Sequence, residues 1–220
     1  GESGSTPNIL DLGTSNTDDY VNLQNNKIVN NGEGNVIFAS ALYFDGNGTV
    51  NINNAAIHDN YAEEADGGTV FTAGVSVFGG TLNFISGYIT NNVVGSSHET
   101  DVISVALCNG GTTTIYQNAH ISNNTYTGTQ GRCFTTGIAA SDGELNINGG
   151  YINNNNVDRD GAMLNSNVDA GALYFRDGVV NINGGEFYEN AGKAGVLNFM
   201  REAWCVQNLY LNGGELYDNK

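Results

Sequence analysis

Basic residues are scarce in this 220-residue chain: seven Lys and Arg stand against 23 Asp and Glu, for a formal net charge of −16 and a pI near 4.1. So few cations cannot neutralise a run of phosphates, which excludes nucleic-acid binding through the backbone and attraction to an anionic membrane surface. Long apolar runs are also missing; none approaches the roughly 18 residues a membrane-spanning helix needs. Cysteine is limited to Cys108, Cys133 and Cys205, with no CxxC or CxxH pair, so neither a disulfide scaffold nor a metal framework is indicated. The three read as small buried hydrophobes, with a single disulfide and one thiol left over as the alternative. The lone proline, Pro7, closes a polar segment without signal-peptide character, and residues 1–20 are expected to form a linker or N-terminal cap.

What the chain does contain is punctuation: 31 Gly and 35 Asn. Leu, Ile, Val and Phe still supply 53 residues, about 24%, above the level of a disordered chain. A single folded domain over residues 21–220 is expected, truncated at its C-terminal end as a fragment of a longer repeat protein would be.

Internal repetition dominates the pattern. Seven segments read hydrophobic-x-x-Asn: Ile28 to Asn31, Ile57 to Asn60, Ile89 to Asn92, Ile121 to Asn124, Ile152 to Asn155, Phe187 to Asn190 and Leu216 to Asn219. Their anchors are spaced 29, 32, 32, 31, 35 and 29 residues apart. Alternating runs such as Val50-Asn51-Ile52 and Leu82-Asn83-Phe84 precede most anchors, and a third apolar run such as Val102 to Cys108 completes each unit. Alternation over three to five positions is strand periodicity, and helix formers are interrupted by Gly and Asn within about seven residues. Units of this length are too short for propeller blades of about 40 residues. They predict an all-β fold, a right-handed parallel β-helix of about seven coils with three short strands each, every strand pairing with its equivalent above and below.

In that fold Asn31, Asn60, Asn92, Asn124, Asn155, Asn190 and Asn219 stack at one corner. They would tolerate the left-handed backbone there and pass amide hydrogen bonds along the stack. At about 4.8 Å per coil the rod would be about 34 Å tall.

The segments after the anchor asparagines vary in length and carry much of the acid: Glu63, Glu64 and Asp66; Glu99 and Asp101; Asp158, Asp160 and Asp169. They read either as a solvated face that keeps the solenoid soluble or as a calcium site built from oxygen ligands of adjacent loops, though no DxDxDG loop occurs. Calcium is the only cofactor the sequence raises. Four tyrosines beside anchors, Tyr88, Tyr151, Tyr188 and Tyr217, face outward and are candidates for stacking on sugar rings or on each other. His58, His98 and His120 read as surface residues, too far apart to share a zinc ion.

A catalytic set is harder to find. Paired carboxylates of a glycosidase, a GxSxG elbow and Gly-His-Gly or Arg-x-Lys elements are all missing. Asp18-Asp19 precedes the first coil, and Arg159, between Asp158 and Asp160, is expected to form a local ion pair. Thr112, Thr113 and Thr114 do not recur in other coils, so no ice-binding array forms. Asn47-Gly48-Thr49 and Asn123-Asn124-Thr125 are sequons of the kind a chain this rich in Asn and Thr contains by chance.

Phe187-Tyr188-Glu189-Asn190, together with Gly80-Thr81-Leu82 and Gly171-Ala172-Leu173, resembles the FxxN and Gly-Gly-Ala-Leu elements of polymorphic outer-membrane proteins and related adhesin-like β-helix repeats. The likeness spans residues 21–219, with Ile replacing Phe at most anchors and no translocator barrel. It implies a secreted or surface-displayed protein acting in adhesion or as a structural module, with a host surface protein or glycan as partner and end-to-end self-stacking as a further contact. The alternative function class is a carbohydrate-active β-helix: a polysaccharide lyase, a glycosidase or a sugar-binding module.

Overall fold

The computed structural model describes residues 8–16, 20–32, 34–157, 163–200 and 205–220. Among them the ordered elements are all strands, short except for Thr81–Thr90 and Thr112–Ser122, and every pairing between them is parallel. The strands stack into four columns, giving a parallel β-solenoid of about six turns. The Asp158 to Asp160 loop, Asp18-Asp19 and Arg159 lie outside the described residues.

The first column is a twelve-stranded sheet with two arms. One arm runs from Ile9–Leu12 through Thr49–Ile52 and the first halves of Thr81–Thr90 and Thr112–Ser122 to Glu144–Ile147, Gly178–Ile182 and Gln207–Leu211. The other holds the anchors: Val21–Gln24, Ala55–His58, Tyr151–Asn153, Glu186–Tyr188 and Glu215–Tyr217. A register shift between Phe84 and Ser86 marks the bend between the arms. Ile9–Leu12 pairs with Thr49–Ile52 residue for residue, so the segment read as linker or cap already contributes the first strand.

Three smaller sheets complete each turn. The second contains Lys27–Asn30, Tyr61–Glu64, Val93–Ser96 and Thr125–Tyr126. The third contains Val36–Ile37, Thr69–Val70, Asp101–Val102, Arg132–Thr135 and Val168–Ala170, and the fourth the six strands from Leu42–Phe44 to Leu197–Phe199. Three strands per coil was therefore too few. The run Val102 to Cys108 is two strands around a sharp corner, and the variable loops begin with a strand of their own. A strand such as Tyr61–Glu64 puts only Ala62 into the apolar interior, and one inward apolar residue leaves no periodicity to read.

Inward residues line up coil over coil. Leu23, Ile57, Ile89, Ile121, Ile152, Phe187 and Leu216 are register partners in one apolar column. From Ile57 to Phe187 they are fully buried, and each contributes roughly 1.5–3 kcal/mol by burial. The first member corrects the expected one. Ile28 pairs with Ala62 in the second sheet and is exposed, because Leu23-Gln24-Asn25-Asn26 is the true first motif. Two matches to the motif lie five residues apart, and only the stacking register chooses between them.

The asparagine ladder follows that register. Its rungs are Asn26, Asn60, Asn92, Asn124, Asn155, Asn190 and Asn219, so Asn31 has no place in it. Each Nδ2 donates to the next Oδ1 over 2.9–3.1 Å, and that same Oδ1 accepts the backbone N–H of the rung before it. The second Nδ2 hydrogen reaches the anchor carbonyl of the coil before, as from Asn92 to Ile57 and from Asn124 to Ile89. Four side-chain hydrogen-bonding sites are thereby all used.

The left-handed residue is not the rung but its predecessor: Asn25, Asp59, Asn91, Asn123, Asn154, Glu189 and Asp218 all have φ between 52° and 59°. Asn and Asp adopt this region at little cost, whereas glutamate lacks their short side chain. Replacing the exposed Glu189 with Asn should therefore stabilise the fold by roughly 0.5–1 kcal/mol, raising the melting temperature by about 1–4 °C in a chain of this size. An unchanged or lower melting temperature by calorimetry would show that the strain is absorbed elsewhere.

Candidate functional site

The sequence-derived candidates disperse. Glu63 faces outward and accepts the Tyr61 hydroxyl at 2.8 Å, an interaction that, after burial, helps push the phenol up to about 12. Glu64 is fully buried, held by Asn30 Nδ2 at 2.7 Å and the Asp66 N–H. Asp66, Glu99 and Asp101 are exposed at the corner between the second and third sheets. Asp169 is buried and ion-paired with Arg132 and Lys193. Among the described residues no group of three or more His, Cys, Asp or Glu side chains is placed to hold a metal ion.

Tyr88, His120 and Tyr151 are register partners whose rings stack at 4.9 and 4.8 Å, and Tyr188 stacks on Tyr217 at 5.1 Å with planes 5° apart. Within each stack, neighbouring ring faces of the kind a sugar would need are turned on each other. Burial between the two tyrosines pushes the His120 imidazole below its ordinary 6.5. The unfolded chain then binds a proton more readily than the folded one, so His120 withdraws stability as the pH falls below 6.5. An NMR titration should place its midpoint under that value; a midpoint at or above it would mean that the flanking rings favour the imidazolium instead.

The concave feature lies elsewhere. After each third-sheet strand the chain turns sharply into the fourth sheet, and buried hydroxyls tie the corner: Thr72 Oγ1 donates to the Val105 carbonyl at 2.7 Å and Thr136 Oγ1 to that of Gly171 at 3.2 Å. The turn brings two outer faces together. Outward on the fourth sheet stand Tyr43, Ser76, Cys108, Ala139 and Tyr174 in one column. Opposite them, on the third sheet, are Phe71, Ile103 and Phe134. Cys108, Ala139 and Tyr174 point away from the solenoid interior, yet all are buried, because Phe71, Ile103, Phe134 and Met200 pack over them.

The result is an external groove parallel to the solenoid axis. Phe38, Tyr43, Phe71 and Phe78 close one end as an aromatic cluster with centroids 4.7–6.0 Å apart. Toward the other end Tyr174 packs on Phe134 at 4.8 Å and its hydroxyl donates to Met200 Sδ at 3.1 Å. A cavity of about 320 Å³ opens between them, bordered by Phe71, Ile103, Phe134, Tyr174, Asp101, Ser141 and Arg176. Cys108 in the groove floor is pushed up to about 12 by burial and stays a thiol; Cys133 and Cys205 likewise form no disulfide. Sequence reasoning missed this site because its walls come from coils about 30 residues apart and from a corner with no motif of its own. A usable signal was present: Phe38, Phe71, Ile103 and Phe134 recur at 31–33 residues, each next to an inward residue.

No protein-family model, no curated protein and no solved structure matches the chain. The class of protein is therefore defined by its own geometry, a parallel β-solenoid with a continuous asparagine ladder. Among the described residues no helix is long and apolar enough to cross a membrane.

Proposed function

We propose that the chain is a non-enzymatic, extracellular or cell-surface β-solenoid module, used in adhesion or as a structural building block. The carrying observation is the ladder: of its seven rungs the five from Asn60 to Asn190 are fully buried, their amide groups consumed by neighbouring coils, and such a polar spine supports a mechanical use. Outward asparagines add shorter ladders, Asn83 to Asn51 and Asn212 to Asn183 to Asn148, each near 2.8–2.9 Å. Such a rod holds its outward side chains at fixed spacings of about 4.8 Å, which suits repetitive display to a partner. The likeness to polymorphic outer-membrane repeats supports the same reading, with a host surface protein or glycan as partner. Parallel coil-on-coil pairing through strand edges supports end-to-end stacking of copies as a further contact on the same reading.

The test is retention without turnover. Purified chain, incubated with immobilised polysaccharides and cell surfaces with and without calcium, should be retained and release no oligosaccharide. Release of product, abolished by one carboxylate substitution, would make it a carbohydrate-active enzyme instead.

A further inference from the structure

We infer that the groove between the third and fourth sheets is a binding site for a carboxylate-bearing sugar, held along the solenoid axis. This names a ligand for the display module proposed above and rests on that reading.

Charge singles out one residue at the groove. Five basic residues are described: Lys27, Arg132, Arg176, Lys193 and Lys220. Arg132 and Lys193 are committed to Asp169, and Lys27 lies over the Tyr61 ring at 5.0 Å. Arg176 is exposed at the groove mouth and has no carboxylate partner among the described residues. An uncompensated guanidinium beside a cavity, on a chain of net charge −16, is a site that attracts one anion against the field of the rest. Its planar fork suits a carboxylate bidentately.

The remaining walls specify what carries the carboxylate. Phe71, Ile103 and Phe134 give one apolar wall, against which the C–H face of a pyranose can lie. Ser141 and Asp101 give hydroxyl-binding groups at the rim. Asp101 belongs to a coil two below Arg176, so about 10 Å of groove separates acceptor from cation along the axis. A ligand anionic at one end and hydroxylated at the other satisfies both, and the reverse orientation would set its carboxylate on Asp101. At about 320 Å³ the cavity is at the small end of ligand pockets, which run from roughly 300 to 1,000 Å³. A neutral sugar leaves Arg176 unused, while an aromatic acid leaves Asp101 and Ser141 unused.

The test is calorimetric titration of the whole chain with glucuronate oligomers, neutral glucose oligomers and phenylpropionate. Glucuronate oligomers should bind saturably and at least tenfold more tightly than either of the others. Arg176→Gln, an exposed substitution, should weaken glucuronate binding at least tenfold with an unchanged melting temperature, and Asp101→Asn should weaken it several-fold. Tyr88→Ala, in the first sheet and not among the residues that border the groove, should leave it unaltered. Equal binding of glucose oligomers, preference for phenylpropionate, no binding at all, or an Arg176→Gln affinity within twofold of the parent would each overturn the assignment. Retention on a surface that survives Arg176→Gln would overturn this ligand while leaving the display role intact.

Discussion

Asn124→Ala should cost about 3–6 kcal/mol, a large part of the roughly 5–15 kcal/mol that holds a domain folded. Asn124 is fully buried at the middle of the ladder. Its Oδ1 accepts the backbone N–H of Asn92 at 3.1 Å and the Asn92 Nδ2 at 3.0 Å; its own Nδ2 donates to the Ile89 carbonyl and to Asn155 Oδ1. Truncation leaves two buried donors on Asn92 and loses one bond to each of two acceptors, at about 1–3 kcal/mol for each group left without a partner. Asn124→Asp should do no better: it keeps the acceptor but sets a negative oxygen against the Ile89 carbonyl and Asn155 Oδ1. Asn31→Ala, at the exposed residue that shares the motif but not the register, should stay within about 0.5 kcal/mol. Urea midpoints of the three variants decide it. Equal, small losses at positions 31 and 124 would mean that the ladder is decoration on a solenoid held by its apolar columns alone.

That contrast also marks how far the sequence could be read. The period, the parallel stacking and six of the seven rungs follow from hydrophobic-x-x-Asn, because each feature recurs in one dimension. The first coil fails for a physical reason: Leu23-Gln24-Asn25-Asn26 and Ile28-Val29-Asn30-Asn31 satisfy the motif equally, and only burial against Ile57 chooses between them. The left-handed role was assigned to the wrong residue although the signal was visible, since Asn or Asp precedes six of the seven true rungs. Alternation places Tyr88, Tyr151, Tyr188 and Tyr217 outward, but not the rotation that turns ring on ring. The groove is the least legible part. Outward residues of two sheets meet there only because the corner at Thr72, Ser104 and Thr136 is sharp enough to fold one outer face onto the other.

Gly87→Ala should be the most damaging single-methyl change at the bend of the first sheet, costing about 3 kcal/mol or more. Gly87 is the register partner of Ala55 below and Ala119 above, and its φ of +110° lies where a side chain is strained. That strain alone is worth about 1–3 kcal/mol. Space is the second difficulty: a Cβ there would sit 2.0 Å from the Ala55 carbonyl oxygen and 2.7 Å from its nitrogen, both backbone atoms of a stacked strand that cannot swing aside. Gly195 separates the two effects. Its φ is +101°, but nothing lies within 4 Å of the position its Cβ would take, so Gly195→Ala should show the strain without the collision. The expected order is therefore Gly87→Ala well below Gly195→Ala, with Gly195→Ala about 1–3 kcal/mol below the parent in urea unfolding. If the two variants lose the same stability, the stacked strands yield by the ångström needed, and the 4.8 Å spacing on which ladder, columns and groove all depend is softer than close packing of the coils requires.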